Sequence, residues 1–283
     1  MQQSEEEILD SSLDLLRRLD PKHISKNLET ICRIQPSIAE ELLSSIDTPL
    51  QVSRCEKSGK SYLCCDYNRD GDSFRSPWSN SYYPSLGSEE SDAPHPSEHL
   101  RELEKFANDS FDIYRDLYYE GGISSVYLWD TEDDDVGPDG QLGFAGVALL
   151  KKQVDSSSVN TQGSWDSIHV FEIEPSSNGK ANYKVTSTVI LDLENDEDNE
   201  MYLSGNLTRQ TEKKVQFTDS ASHVSNIGSI VEDTESKLRN LLQEVYFGKT
   251  KDILTDLRSI EPLNVKNQEK LMHKQLIENF QKV

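Results

Sequence analysis

The stretch CDYNRDGDSFRSPWSN, residues 65–80, is the most informative segment of the chain, because it allows two interpretations. The first is a calcium loop. Oxygen-bearing side chains at alternate positions, followed by glycine, match the first half of an EF-hand at Asp66, Asn68, Asp70 and Gly71. The second half does not match, because Pro77 occupies the position where the loop needs a chelating glutamate. The sequence therefore predicts no calcium binding in this segment.

The second interpretation is a family signature, and it extends far beyond this stretch. Further segments resemble the F-actin capping protein beta subunit family in the family's own order: LLRRLDPKHISKNL at 15–28, YRDLY at 114–118, EGG at 120–122, WDSIHV at 165–170, LTRQ at 207–210 and YFGKTKDI at 246–253. Segments 132–142 and 155–163 depart from the family pattern and look like loop insertions. The C-terminal residues resemble the family in pattern more than in letters.

This resemblance implies a function and a set of partners. It implies an obligate heterodimer with a structurally similar alpha subunit, which binds the barbed ends of actin filaments without calcium and blocks subunit addition and loss. It implies that Lys237 and Arg239 contribute to a basic patch facing the filament end. It also implies that the C-terminal segment is an arm that binds the terminal actin subunit. The implied location is the cytoplasm, at cortical actin structures.

Composition limits the classes of partner. The chain has 283 residues, a formal net charge of -22 and a pI of about 4.6. Nucleic-acid binders neutralise phosphates with basic side chains, so we expect no nucleic-acid partner and no anionic membrane surface. No apolar run approaches the length of a transmembrane helix. The four cysteines form no C-x-x-C pair, so we expect reduced thiols and no zinc site.

The pattern predicts an α+β fold that begins with helices. Residues 1–48 carry three apolar stripes at helical spacing, interrupted at Pro21 and Pro36. The stripes are Leu9, Leu13, Leu16 and Leu19, then Ile24, Leu28, Ile31 and Ile34, then Ile38, Leu42 and Ile46. The interruptions are short, so the helices should fold back on each other as a three-helix stalk.

The middle of the chain predicts a small irregular globule and a helix. Residues 49–96 contain a hairpin signal at Ser58 and Gly59, followed by chain rich in Ser, Pro, Gly and Tyr. Residues 97–121 form a connecting helix that the glycines at 121–122 end. Its apolar residues available to a buried face are Leu100, Leu103, Phe106, Phe111, Tyr114 and Leu117.

The second half predicts a sheet and a long helix. Residues 122–218 contain β-rich runs, including 144–150 and 168–173, with connections too short for crossover helices. We therefore expect an antiparallel meander, whose exposed edge would extend into a sheet shared with the partner subunit. The helix predicted for 222–260 has a heptad-like stripe, which a coiled coil or a helix lying across the sheet would both explain. The second explanation is preferred, because the stripe is short.

The final segment, 261–283, reads as an amphipathic helix. Met272, Leu276 and Phe280 fall at successive helical turns, with Leu271 and Ile277 beside them. Residues 264–283 contain four lysines against two glutamates, so this part is locally positive. The pattern fits either a helix docked on its own domain or one that enters a groove on another protein. The family resemblance favours the second possibility, an actin-binding arm.

The sequence offers little support for catalysis. None of the six histidines lies in a metalloprotease motif, and no nucleophile elbow or phosphate-binding loop is present. We expect no enzymatic activity, no cofactor and no metal. The alternative to actin capping is a non-catalytic scaffold whose sheet edge and C-terminal helix bind a partner other than actin.

Overall fold

The structure is a computed structural model that describes residues 5–19, 23–44, 49–87, 92–131, 143–156, 161–195 and 201–244, with Gly248, Leu271, Met272 and Lys274. The helices are α1 Glu5–Arg18, α2 Ile24–Ile34, α3 Ala39–Ser44, α4 Glu98–Tyr118 and α5 Ser220–Leu242. The strands are β1 Gln51–Arg54, β2 Ser61–Cys64, β3 Arg69–Asp70, β4 Ser73–Arg75, β5 Tyr82–Tyr83, β6 Ile123–Asp130, β7 Phe144–Ser156, β8 Thr161–Ser176, β9 Lys180–Asn195 and β10 Met201–Gln216. Contacts divide the chain into two compact units, Met1–Glu235 and Ser236–Val283. The mixed α+β class and the antiparallel strand pairing are confirmed.

The three N-terminal helices share one apolar cluster. Its buried members are Leu9, Leu16, Ile38 and Leu42, with Leu28 and Ile31 packed against them. The prediction was wrong for two residues of the stripes: Ile34 is 75% exposed and Leu19 is 36% exposed. Ile34 is the last residue of α2 and Leu19 follows α1, so each stripe continues in sequence past the part of the helix that is packed.

The largest sheet has five strands in the spatial order β10-β9-β8-β7-β6, all antiparallel. Strands β7 and β8 are longer than the β-rich runs that predicted them, and they pair from Phe144 opposite Ile173 to Ser156 opposite Thr161. The predicted loop insertion at 155–163 was therefore wrong at its two ends, which continue the ladder. Polar residues can extend a hairpin in this way, because the ladder depends on backbone groups rather than on side-chain pattern.

Both faces of this sheet are covered, by different elements. Helices α4 and α5 pack on one face around Val126, Phe171 and Tyr183, and the α5 residues in this cluster include Ile227 and Val231. Helix α5 thus lies on the sheet through its apolar stripe. The β1–β2 hairpin and the segment after it cover part of the other face, where Leu50, Leu63, Tyr127, Val147 and Leu149 are buried together.

Helix α4 begins and packs in a regular way. Ser97 caps its N-terminus by accepting a hydrogen bond from the backbone N–H of Leu100. The buried face contains Leu100, Leu103, Ala107 and Phe111. Phe106 and Leu117 were expected on this face, and that expectation was wrong, since they are 46% and 73% exposed. Their positions lie roughly 105° and 85° from the centre of that face on a helix with 3.6 residues per turn, which places them on its flank.

Candidate functional site

The predicted basic patch lies in the last turns of α5. Lys237 and Arg239 are both exposed, whereas Leu238 between them is fully buried. Residues two apart on a helix do not face each other. The two cationic side chains therefore project from opposite flanks of the exposed side of α5. Arg239 also lies in the last turn, where a cation is favoured by the helix dipole.

The predicted arm is only partly described. Leu271 and Met272 are helical, and their side chains are 59% and 61% exposed. The other predicted members of the apolar stripe, Leu276, Ile277 and Phe280, lie outside the described residues. The two apolar side chains that are described are thus accessible to a partner.

In the stretch 65–80, Asn68 is buried and bonded to the backbone. It is therefore not available as a metal ligand. Asn68 is 2% exposed and lies in a short 3-10 turn, Asp66–Asn68. Its side-chain oxygen accepts a hydrogen bond from the Cys65 N–H at 2.8 Å, and its amide donates to the Arg75 carbonyl at 2.9 Å. Both polar atoms of the amide are therefore engaged with the backbone. Within the described residues, no group of three or more acidic, His or Cys side chains is placed to hold a metal ion.

A buried ion network joins the same stretch to α4. Arg75 donates to both carboxylate oxygens of Glu104 at 2.8 Å, and Arg101 donates to one of them. The Leu128 N–H donates to Glu104 Oε2 at 2.8 Å, which adds a backbone group of β6 to the network. Glu104 is 0% exposed and Arg75 is 3% exposed. Burial lowers the pKa of Arg75, but its hydrogen bonds to Glu104 and the attraction of that carboxylate's charge together outweigh the effect of burial, so the net direction is upward.

A second buried polar group, which we call the His169 cluster, lies between the sheet and α5. It consists of Tyr119, Ser167, His169, Ser187 and Glu235. His169 Nε2 is 2.9 Å from Glu235 Oε1, and His169 Nδ1 is 2.8 Å from Ser187 Oγ. The Tyr119 hydroxyl donates to Glu235 Oε2 at 2.6 Å, and Ser167 forms a further hydrogen bond with Glu235.

The electrostatics of this cluster favour an ionised glutamate. Burial raises the pKa of Glu235, but the hydrogen bonds from His169, Ser167 and Tyr119 and the attraction of His169 leave it below its ordinary value. The serine, histidine and carboxylate resemble a catalytic triad in composition. However, Ser187, His169 and Glu235 are all 0% exposed, so no substrate can reach the hydroxyl in this arrangement.

The two edges of the five-stranded sheet differ in their chemistry. On β6, Asn108 of α4 accepts from the Val126 N–H and donates to the Val126 carbonyl, both at 2.9 Å. The carboxylate of Glu104 likewise accepts the hydrogen bond from the Leu128 N–H of β6. These contacts occupy backbone groups that another strand would need. Strand β10 has β9 as its neighbour, and no described strand lies on its other side.

Comparison with known proteins identifies the family to which the chain belongs. The model of the family "F-actin capping protein, beta subunit" matches residues 9–254. The chain belongs to the F-actin capping protein beta subunit family. It is 58% identical over 255 residues to the F-actin-capping protein subunit beta of Yarrowia lipolytica, covering 90% of this chain and 92% of the relative. It is 52% identical over 276 residues to that of Emericella nidulans, covering 96% and 98%.

The fold is also similar to a solved structure. The actin capping protein alpha subunit from Plasmodium berghei, described as homodimeric, matches with a TM-score of 0.54 and 17% identity, covering 90% of this chain and 98% of that one. At this identity the likeness concerns the fold alone. The family match includes Lys237 and Arg239, whereas the residues of the predicted arm lie beyond it. Among the described residues, no helix is long and apolar enough to cross a membrane.

Sequence reasoning missed the two buried polar networks, although a signal for each is present. Glu104 lies on the buried face of α4, between Leu103 and Ala107, and Glu235 lies between Val231 and Leu238 in the stripe of α5. A carboxylate within an apolar stripe requires buried partners. The burial of Glu104 and Glu235 could therefore have been predicted from the sequence. Their partners could not, because those partners are distant in sequence.

Proposed function

We propose that the chain is the beta subunit of a heterodimeric actin capping protein, which binds filament barbed ends independently of calcium and blocks subunit addition and loss. The family match over residues 9–254 carries this proposal. The fold shared with a capping protein alpha subunit supports a pair of similar subunits. The proposed location is the cytoplasm, at cortical actin structures. The proposed role is structural rather than enzymatic, with no nucleic-acid partner.

The alpha subunit would add its strands at β10, so that two meanders form one sheet. This choice of edge is supported by the Asn108 and Glu104 contacts, which occupy the backbone of β6. Hydrogen exchange can test it. In the heterodimer, amides on the outer edge of β10 should become protected relative to the chain alone, while those of β6 should change little. The same open edge predicts that the chain alone aggregates.

The proposed organisation follows the segments of the sequence. Residues 1–48 form the stalk, 49–96 the small globule, 97–121 the connecting helix, 122–218 the shared sheet, 222–260 the long helix and 261–283 the arm. Capture of the filament end would begin at Lys237 and Arg239, since exposed charges act mainly on association. The arm would then dock through the apolar stripe of Leu271, Met272, Leu276, Ile277 and Phe280 and slow departure.

Seeded actin elongation with a co-expressed alpha subunit tests the function as a whole. Capping requires that substoichiometric heterodimer stop growth at barbed ends. In sedimentation, binding should saturate with the number of filaments at fixed polymer mass. Saturation with filament length, or binding to another protein with no effect on elongation, would instead support the scaffold alternative.

Truncation after Leu263 tests the arm, together with the triple change Met272→Asp, Leu276→Asp and Phe280→Asp. Full burial of one such side chain contributes roughly 1.5–3 kcal/mol, and ordering costs reduce the net effect. A net loss of about 2–4 kcal/mol corresponds to roughly 30- to 900-fold faster dissociation from ends. Heterodimer assembly and melting should remain near those of the wild type. Failure to assemble would identify the segment as core and contradict the arm.

A further inference from the structure

A cavity lies at the end of the five-stranded sheet where α4 and α5 both begin. Its volume is about 370 Å³, which is near the lower end of the range typical of ligand sites. The starts of the two helices line it, together with the neighbouring ends of β6, β7 and β8 and the segment that follows β10. All of these residues lie within the unit Met1–Glu235. The apolar wall consists of Leu100, Leu103, Phe144, Ile173 and Phe217. The size and the lining suit a single bulky apolar group.

One polar side chain, that of His223, forms part of the wall and is held in a fixed orientation. It is 9% exposed. Its ring lies 4.4 Å from the ring of Phe217 and 5.5 Å from that of Phe144, measured between centroids. Its Nδ1 atom is 2.7 Å from the hydroxyl oxygen of Tyr183. The other ring nitrogen, Nε2, has no hydrogen-bond partner among the described residues. It is therefore available to a ligand in the cavity.

The hydrogen bonds around Tyr183 determine which ring nitrogen carries the proton. The side-chain amide of Asn226 donates to the Tyr183 oxygen at 2.9 Å and to the Gln216 carbonyl at 3.1 Å. Within the described part of the chain, the hydroxyl hydrogen then has His223 Nδ1 as its acceptor. Burial lowers the pKa of His223 to about 4, so the ring is neutral at neutral pH and its hydrogen is on Nε2. A ligand therefore needs an acceptor, such as a carbonyl group.

Carboxylates determine the charge that a ligand can carry. Asp130 and Asp219 line the cavity, and none of the described lining residues is a lysine or an arginine. The starts of the two helices offer an anion little compensation, because their N–H groups already have acceptors. The Ser222 N–H donates to Asp219 at 2.8 Å, and the Leu100 N–H donates to the Ser97 hydroxyl. The site therefore disfavours an anion and favours a positive charge beside the apolar group.

We propose that this cavity binds a peptide segment of a partner protein, which inserts one aromatic side chain with a lysine or arginine beside it. The aromatic ring packs on the apolar wall, a backbone carbonyl of the peptide accepts from His223 Nε2, and the cation lies beside Asp130 and Asp219. A peptide carries these three groups in adjacent positions. Aromatic side chains that fill a pocket are also the usual anchors of protein interfaces. The proposal is independent of the capping function.

The test titrates the peptide acetyl-Lys-Trp-Lys-amide into the co-expressed heterodimer, with the Leu and Ile methyl groups labelled for NMR. The methyl resonances of Leu100, Leu103 and Ile173 should shift and reach saturation. Those of Leu63 and Leu149, which are buried on the other face of the sheet, should not move. Acetyl-Glu-Trp-Glu-amide should bind about tenfold more weakly, because its charges meet the two carboxylates.

Three results of this titration would overturn the proposal. The first is the absence of saturable shifts at millimolar peptide, which would show that the cavity is closed or covered in the heterodimer. The second is equal or tighter binding of the glutamate peptide, which would indicate an anion site at the helix starts. The third is equally tight binding of tryptamine, which has no carbonyl group and would indicate a site for a small amine.

Variants at two positions test the donor and the mouth of the cavity. His223→Phe keeps an aromatic ring and removes the Nε2 donor, so the peptide should bind about three- to tenfold more weakly. Thr218 lines the cavity and is exposed. Thr218→Trp should fill the mouth and abolish the shifts, whereas Thr218→Val, which keeps the size of the side chain, should bind as the wild type does. Thermal melting verifies folding, and the Thr218 pair decides if His223→Phe does not fold. Unchanged affinity in Thr218→Trp, or in a folded His223→Phe, would overturn the proposal.

Discussion

The substitution Glu104→Gln tests what the stretch 65–80 contributes to the fold. Glutamine has the shape of glutamate, so the change creates no cavity. It removes the charge that Arg75 and Arg101 share, and it turns an amide donor toward guanidinium donors. Arg75 keeps its bond to Asn80 Oδ1 at 2.7 Å and Arg101 keeps its bond to the Pro77 carbonyl at 2.7 Å, so neither guanidinium loses all its partners.

The expected cost follows from burial. Breaking a buried ion pair by removing one partner costs about 3–5 kcal/mol, because the other charge stays buried. For a domain of this size, each kcal/mol lowers the melting temperature by roughly 2–4 °C, which gives a fall of about 6–20 °C. The matched control is Glu29→Gln, which breaks a 2.6 Å pair with Arg33 whose side chains are 68% and 77% exposed. An exposed pair contributes about 0–1 kcal/mol.

Both variants are measured in the co-expressed heterodimer, by thermal melting and by urea unfolding. Hydrogen exchange should also speed up across residues 65–80 in Glu104→Gln and remain unchanged in Glu29→Gln, because only the first network holds this stretch against α4. Equal melting temperatures for the two variants would refute the reasoning. They would show that the buried network is replaceable by neutral hydrogen bonds.

Three further predictions concern calcium, capture and acid. Calorimetry should detect no stoichiometric calcium binding at 66–72, because the amide of Asn68 is already bonded to the backbone; micromolar binding lost in Asp66→Ala would contradict this. Lys237→Glu with Arg239→Glu should slow association with barbed ends, and the difference from wild type should shrink with added salt; unchanged kinetics would exclude these residues from the capture surface. The lowered pKa of Glu235 means that its ionisation stabilises the fold above the ordinary value of 4.5, and that this stabilisation is lost as the pH falls through the folded-state value. The difference in unfolding free energy between wild type and Glu235→Gln should therefore be largest near neutral pH and shrink below pH 4.5 in urea titrations; a constant difference would show that the charge is not involved.

Local patterns predicted the elements whose causes are local. The hairpin at Ser58 and Gly59 forms as expected, since Gly59 adopts a φ of +71° that other residues avoid. Helix α4 begins at its serine cap and ends close to the paired glycines. The same periodicity overestimated burial at Phe106 and Leu117, because a stripe indicates which residues are apolar and not how wide the covering surface is.

The contacts that fix the arrangement of elements could not be read from one sequence. Arg75 and Glu104 are 29 positions apart, and His169 and Glu235 are 66 apart. Each pair requires the tertiary fold to bring it together. The motif WDSIHV was visible as a family signature, but the roles of its residues were not. Its serine and histidine lie on the face of the sheet that α5 covers, whereas its aspartate binds Lys151 on the other face. Alternation along β8 explains this division, because successive side chains point to opposite faces of the sheet.

The proposed function requires positive charge at the surface that contacts the partner, although the chain as a whole is acidic. A protein with a net charge of -22 is repelled at long range by any acidic surface. At physiological ionic strength the Debye length is about 8 Å, so distant charges are screened. The electrostatic interaction with a partner is therefore determined mainly by the charged groups closest to the contact. In the proposed function, the locally positive residues 264–283 and the two cations of α5 are the groups at this contact. The effect of two cations depends strongly on their direction, because their field extends only about one Debye length. Added salt shortens that range further, so the contribution of Lys237 and Arg239 to the proposed capture should fall as the ionic strength rises.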